Sequence, residues 1–319
     1  MLNRLAYLGP AGTFCEEAAG QFLKTGSWEP VPYPSIEAVF AAVYREEASA
    51  GIVPIENSLE GSVNQTLDLL AYDYDLIITS EIVLPIRHNL LTRPEISLLE
   101  VSRVLSHPQA LAQCRRFLAA KFPAAEPISV TSTAEAARLV SISPEPWAAV
   151  GTAASAQLYG LKIMAENIAD QPNNETRFIV ISRQELECSG PYKTSLLLSV
   201  SHQPGALFQA LGEFSLRGIN LSKIESRPAK TKIGEYLFFI DIDGHYQEPQ
   251  VAEAMEALKS TALSLRMLGS YVSAGKQKGP ARSGEITDLV ALVEKQISHL
   301  LAWRERLLSS RGEKQEKAY

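Results

Sequence analysis

Four polar, turn-rich segments carry the residue types that could do chemistry. The last of them is the richest: Asp170-Gln171-Pro172-Asn173-Asn174-Glu175-Thr176-Arg177-Phe178. An arginine can grip a carboxylate in a two-point fork, which a lysine does less specifically, and Thr176 sets a proton-bearing hydroxyl beside Arg177. The run Pro54-Ile55-Glu56-Asn57-Ser58 offers an acceptor, an amide and a hydroxyl in succession, although a plain helix cap would need only Asn57 or Ser58. In Ser106-His107-Pro108-Gln109, followed by Gln113, the two glutamines share a helix face one turn apart. Gly9-Pro10-Ala11-Gly12-Thr13-Phe14 presents amides and the Thr13 hydroxyl ahead of a helix. Such a place can receive a carboxylate and can equally be a simple turn. Ser132-Thr133 and Gly151-Thr152 add hydroxyls at strand-to-helix turns, where capping alone would account for them.

Positioning these groups requires a scaffold of alternating elements. From residue 5 to about 183, short apolar runs alternate with amphipathic stretches, an α/β signature. Strands are expected over 5–8, 50–53, 76–83, 104–106, 128–130, 148–150 and 178–181, with helices over 16–23, 36–44, 109–120 and 133–140. Single helices between strands predict parallel sheets with ligands at the C-terminal strand edges. A turn-like break at Cys188-Ser189-Gly190-Pro191 opens a second region. There a strand over 193–201, a helix over 205–217, strands over 219–227 and 235–243, a helix over 250–258 and a strand over 263–273 give βαββαβ, the ferredoxin-like order. Residues 274–284 read as a linker, and 285–308 as one amphipathic helix with Ile286, Val290, Val293, Ile297, Leu300 and Leu307 on its stripe.

Composition narrows the function by exclusion. With 46% hydrophobic and 21% charged residues in 319, the chain is globular and long enough for two domains. Thirty basic against thirty-six acidic residues leave a charge of −6, which argues against a nucleic-acid partner. Any anionic ligand must be held by local donors. No apolar run approaches the ~20 residues that span a bilayer, and the N-terminal apolar stretch is too brief for a secretory leader. Neither a membrane partner nor export is expected, and three scattered cysteines (Cys15, Cys114, Cys188) fit a reducing cytoplasm. Walker, dinucleotide-binding and serine-hydrolase motifs are absent. His88, His107, His202, His245 and His299 have no ligand spacing and read as surface or packed imidazoles. The chemistry is therefore expected to run without a metal or dissociable cofactor.

Taken in order, the Gly-Pro-x-Gly-Thr-Phe turn, Pro54-Ile55-Glu56-Asn57-Ser58, Ser106-His107-Pro108-Gln109 and Asn174-Glu175-Thr176-Arg177-Phe178 resemble prephenate dehydratase. Gly205-Ala206-Leu207 and Glu225-Ser226-Arg227-Pro228 resemble the paired phenylalanine-binding motifs of that family's ACT domain, and the resemblance covers residues 4–275. It implies an α/β, two-lobed, periplasmic-binding-protein-like catalytic region over 1–187, with lobe two at about 86–169. An ACT domain over 193–275 and a linker and helix over 276–319 would follow. The implied reaction is the decarboxylating dehydration of prephenate to phenylpyruvate, water and CO2. Thr176 would have the hydroxyl-directed role, Arg177 would anchor a carboxylate and Phe178 would wall the ring. Thr13, Glu56, Asn57, Ser58, Ser106, Gln113 and Thr133 would complete the substrate site. L-Phenylalanine would act as allosteric inhibitor on Gly205, Ala206, Leu207, Asn220, Leu221, Glu225, Ser226 and Arg227, between the ACT domains of a homodimer or homotetramer. Arogenate dehydration, prephenate decarboxylation and a non-enzymatic amino-acid sensor are the alternatives. Cys15 departs from the family, which often has Ser there. Residues 300–307 resemble the first helix of all-helical chorismate mutase, but one helix cannot build that active site, and an oligomer-bracing or docking role is expected of it.

Overall fold

A computed structural model of the chain describes residues 3–185, 190–230, 232 and 235–274. Its first sheet gathers the apolar runs of the N-terminal half in the order Trp28–Tyr33, Asn3–Leu8, Ala50–Asn57, Glu175–Ser182, Ile77–Pro85, with Gly61–Ser62 paired onto Ala50–Asn57. The expectation of parallel sheets needs correction here. Asn3–Leu8 is parallel to its neighbours, but Glu175–Ser182 is antiparallel to both of its own. The chain leaves this lobe at Pro85 and returns at Glu175 from the other direction. The strand Trp28–Tyr33, unforeseen in the sequence, contains Pro30 and Pro32 and is tolerated because it lies at the sheet edge.

Strand alternation divides this sheet into two faces. Helix Phe14–Phe22 packs on the face carrying Leu5, Tyr7, Ile52, Phe178 and Val180. Helix Ile36–Tyr44, N-capped by the Ser35 hydroxyl, packs on the face carrying Ala6, Val53, Ile55, Ile179 and Ile181.

The second sheet lies between the two crossings, in the order Lys162–Ala165, Asn89–Thr92, Trp147–Gly151, Arg103–Ser106, Glu126–Ser129, and mixes parallel with antiparallel pairs. The helix expected over 109–120 is two, Pro108–Gln113 and Arg115–Lys121, interrupted where Cys114 leaves helical geometry. Helix Thr133–Ile142 begins at the Ser132 cap, whose hydroxyl accepts the Glu135 N–H at 3.0 Å. The lobes touch at Gly12, whose carbonyl accepts the Thr152 hydroxyl at 2.8 Å. Its φ of +85° and the closeness of the Ser155 backbone explain a glycine at this turn.

The third sheet is antiparallel, in the order Leu221–Pro228, Tyr236–Asp243, Tyr192–Ser199, Ser264–Val272, the βαββαβ arrangement expected. One face buries Leu196, Leu198, Ile240 and Ile242 under helices Ala206–Ser215 and Pro249–Thr261. The other face sends Leu197, Phe239, Leu268 and Tyr271 into the first lobe's core beside Ile78, Ile179 and Ile181. The sheets meet most closely at Gly269, where φ is +152° and a methyl group would overlap the Ile78 carbonyl. Backbone cannot rotate away as a side chain can. Gly269→Ala is therefore expected to destabilise by about 1–3 kcal/mol, with faster amide exchange along Ile77–Pro85. A variant with unchanged denaturant midpoint and exchange would show that the sheets separate freely.

No helix among the described residues is long and apolar enough to cross a membrane. The helix expected over 285–308 and the break at Cys188-Ser189 lie outside the described residues.

Candidate active site

A cleft of ≈650 Å³ opens between the first two lobes. Thr13, Phe14, Asn57, Thr176 and Phe178 line it from the first lobe, and His107, Gln109, Gln113 and Thr133 from the second. The selection follows from register. Thr176 pairs with Asn57 and Arg177 with Glu56 across adjacent strands. Successive residues of a strand point to opposite faces, so Thr176, Asn57 and Phe178 reach the cleft together. Arg177 and Glu56 turn away together, toward the third sheet.

The polar groups in the cleft have assigned directions because the first is anchored to backbone. Asn57 Oδ1 accepts the N–H groups of Leu59 and Glu60, at 3.0 and 3.1 Å. Its Nδ2 must therefore be the atom that donates to Thr176 Oγ1 and Asn174 Oδ1, both at 2.8 Å. Asn174 Nδ2 is then free to donate to Gln113 Oε1, at 2.9 Å. Gln113 Nε2 reaches Glu60 at 3.3 Å. Because Thr176 Oγ1 is an acceptor in this chain, its own hydrogen is available to a ligand.

Thr133 stands at the start of its helix, and Thr131 and Ser132 line the cleft with it. The Glu135 carboxylate is turned to Arg138, and that hydrogen bond chiefly holds it below its ordinary pKa. Thr13 spends its hydroxyl hydrogen on the Pro10 and Leu8 carbonyls, so only its oxygen can face a ligand as acceptor. The neighbouring Gly12 amide is taken by Glu16 at 2.7 Å. Cys15 lines the cleft wall with its thiol pushed up to about 12 by burial, hence unreactive at neutral pH. No lysine or arginine lines the cleft among the described residues. Nor do those residues include a group of histidine, cysteine, aspartate and glutamate placed to hold a metal.

Several residues singled out from the sequence are elsewhere. Arg177 does not anchor a ligand in the cleft. Its guanidinium lies against Asp241 at 2.6 Å, Glu81 at 3.2 Å and Glu56 at 3.3 Å, in the seam with the third sheet. Burial works against its charge, but Asp241, with Tyr271 and Glu81, outweighs burial and raises its pKa. Glu56 is held by Lys223 at 3.0 Å on the same side. Ser106 is fully buried and donates to the Val150 carbonyl at 2.7 Å, tying two strands of the second sheet. Ser58 fastens the returning crossing, accepting from the Glu175 N–H at 2.9 Å. Conversely, Asn174 enters the hydrogen-bond chain and His88 approaches it, with Nε2 2.9 Å from Gln113 Oε1. Position supplied the only hint of His88, which follows the first crossing directly.

In the third sheet, Gly205 caps helix Ala206–Ser215 in a left-handed conformation, φ +83°. Ala206 and Leu207 start that helix, and Asn220 donates to Asp243 at 2.9 Å. The edge strand alternates. Leu221 and Ser226 lie on the helix side, whereas Glu225 and Arg227 lie with Lys223 on the side of the first lobe. Arg227 is committed to Asp68 and Asn64, both at 2.9 Å, and is thus corrected from a ligand contact to a clamp between domains.

The prephenate dehydratase family model matches residues 5–186, and the ACT domain model residues 194–260. A bifunctional chorismate mutase/prephenate dehydratase of Aquifex aeolicus is 43% identical over 85% of this chain and 74% of its own length. A prephenate dehydratase of Amycolatopsis methanolica is 41% identical over 86% of this chain and 90% of its own. Among solved structures, a prephenate dehydratase of Arthrobacter aurescens in complex with L-Phe superposes with TM-score 0.80 at 36% identity, covering 92% of this chain and 99% of that one. GqqA, described as a novel type of quorum-quenching acylase, superposes with TM-score 0.76 at 31% identity, covering 85% of this chain and 99% of that one. With its family model matched through both lobes and an ACT domain behind them, the chain belongs to the prephenate dehydratase family.

Proposed function

We propose that the chain converts prephenate to phenylpyruvate, water and CO2 in the cleft between its first two lobes. In this reaction the bond to the ring carboxylate breaks and its electron pair enters the ring. The bond to the ring hydroxyl breaks in turn, and the departing hydroxide takes one proton to leave as water. Aromatisation supplies the driving force. The protein must therefore orient a dianion, help the hydroxyl leave, and avoid over-stabilising the carboxylate that is lost.

The observation that carries this reading is the Thr176–Asn57 bond. The Asn57 amide donates to Thr176 Oγ1, which leaves the hydroxyl hydrogen available to the substrate and polarises it as a donor. A threonine does not surrender its proton outright, so Thr176 acts on the leaving hydroxyl by hydrogen bonding rather than as a free acid. Phe178, on the same face, walls the ring. A cleft lined by no lysine or arginine among the described residues suits a departing carboxylate, because a cationic grip would hold the ground state as firmly as the transition state. The retained carboxylate falls to the amides and hydroxyl at the N-terminus of helix Thr133–Ile142, with Gln113 opposite.

L-Phenylalanine is proposed to inhibit from the ACT domain, around Gly205, Ala206, Leu207, Asn220, Leu221 and Ser226. Phe208 and Leu216 are about four-fifths exposed on this side, and Ile224 is also exposed on the edge strand. This apolar surface supports a homo-oligomer in which a second copy covers it. The buried thiols of Cys15 and Cys114, free of disulfides among the described residues, fit a cytoplasmic enzyme.

The test is phenylpyruvate formation from prephenate, read as its absorbance in alkali, with and without phenylalanine. Unconsumed prephenate would overturn the reaction, with arogenate tried next; hydrolysis of an acylated amide instead would favour the activity ascribed to GqqA. Phenylalanine at about 100 times its Kd should also stabilise the fold by about 2.7 kcal/mol. Gly205→Pro cannot adopt φ +83° and is expected to lose both that stabilisation and the inhibition. Retained stabilisation would place the phenylalanine site elsewhere.

A further inference from the structure

One buried titratable side chain in the cleft has no part in the chemistry above. His88 is 3% exposed, just past the first crossing, and its ring meets Phe14 edge to face. Its Nε2 lies 2.9 Å from Gln113 Oε1, an oxygen that already accepts from Asn174 Nδ2. A carbonyl oxygen cannot donate, so Nε2 must carry the hydrogen. The neutral ring then leaves Nδ1 bare, and Nδ1 is buried with no hydrogen-bond partner among the described residues. Protonating it would create a buried N–H without an acceptor. Burial also holds the imidazole below its ordinary pKa, against the opposing pull of the Gln113 bond.

We propose that His88 is a positioning residue for the dehydration, whose Nε2–H sets the Gln113 amide and, through Asn174, steadies the Asn57 Nδ2 that holds the Thr176 hydroxyl. The chain of bonds starts at the outgoing crossing with His88, passes through Gln113 of the second lobe and Asn174 of the returning crossing, and ends on the first lobe's strands. Two donors converge on Gln113 Oε1. With the imidazole donor gone, one of the two donors on Oε1 is lost, and Asn174, with the 3.3 Å bond from Gln113 Nε2 to Glu60, must alone resist an amide flip that would set Nε2 against Asn174 Nδ2 and turn Asn174 off Asn57. Asn57 Oδ1 would stay on the Leu59 and Glu60 N–H groups, but its Nδ2, released by Asn174, would turn toward the Glu175 carbonyl 3.2 Å away and slacken its hold on the Thr176 hydroxyl.

The inference rests on the dehydratase reading, and the test separates the two. A glutamine at position 88 can bring its amide nitrogen to where Nε2 stands, whereas an asparagine reaches only the place of Nδ1. His88→Asn is expected to lower kcat about 10–100-fold with KM within about twofold, and His88→Gln to recover most of the loss. Each variant's thermal unfolding is compared with that of the unmodified chain. Unchanged kcat in folded His88→Asn would overturn the proposal, as would a His88→Gln no better than His88→Asn. A change confined to KM would make His88 a substrate contact and overturn it too. Should His88→Asn fail to fold, His88→Gln decides alone: folded and below about a tenth of the unmodified kcat, it refutes the role. If the unmodified chain forms no phenylpyruvate, the reaction itself is wrong; if it does and His88→Asn matches it, only the role of His88 falls.

Discussion

Thr176→Ala is expected to reduce kcat with prephenate by about 10²–10³-fold while leaving KM close to that of the unmodified chain. The hydroxyl helps only as the ring hydroxyl departs, so its removal raises the barrier without loosening the bound substrate. Thr176→Ser should retain more activity, because the donor survives and only the methyl group that holds its rotamer is lost. Folding should be little affected: Thr176 is buried, but its removal strands no Asn57 N–H, because Nδ2 keeps Asn174 and the Glu175 carbonyl as acceptors. Near-unmodified turnover by Thr176→Ala would sink the assignment. A rise in KM alone would make Thr176 a binding group instead.

The adjacent residue should behave oppositely. Arg177→Met is expected to cost about 3–5 kcal/mol of stability, read from the urea midpoint, with KM for prephenate within about twofold in the folded protein. The physical reason is what it leaves behind. Glu81 would keep Lys193, the Ser273 hydroxyl and the Ala274 N–H. Among the described residues, Asp241 would retain only the Ser195 hydroxyl, at 2.6 Å, and be left as a buried, uncompensated charge. Adding Asp241→Asn to Arg177→Met should therefore recover part of the loss. A large rise in KM at unchanged stability would show that the guanidinium reaches the substrate, and would restore the anchoring role.

The contrast between these neighbours marks where sequence reasoning stopped. A strand begun at Phe178 leaves Thr176 and Arg177 in a loop, both able to face a ligand. The strand in fact begins at Glu175, and two residues of extension are enough to send Arg177 to the opposite face. The same holds for Glu56. A strand thought to end at Val53 runs on past Pro54 to Asn57, because that proline lies beyond the part paired with Asn3–Leu8 and at an irregularity in the pairing with Glu175–Ser182. Ser106 failed for another reason: at the end of a buried strand its hydroxyl had to find a carbonyl, and Val150 was nearest.

By itself the sequence determined the α/β and βαββαβ patterns, the family, and the segments from which the cleft is drawn. These properties are local or ordered along the chain: apolar periodicity, turn chemistry and the succession of motifs. Tertiary structure alone decided which of those side chains meet. The lobe crossings bring Asn57, Gln113, Asn174 and Thr176 into one hydrogen-bonded chain with His88, although Asn57 and Thr176 are 119 residues apart. The docked ACT sheet claims Arg177, Glu56 and Arg227 for its own seam. Strand register and domain contact assign each polar side chain to one face or the other, and neither can be read from spacing along the chain.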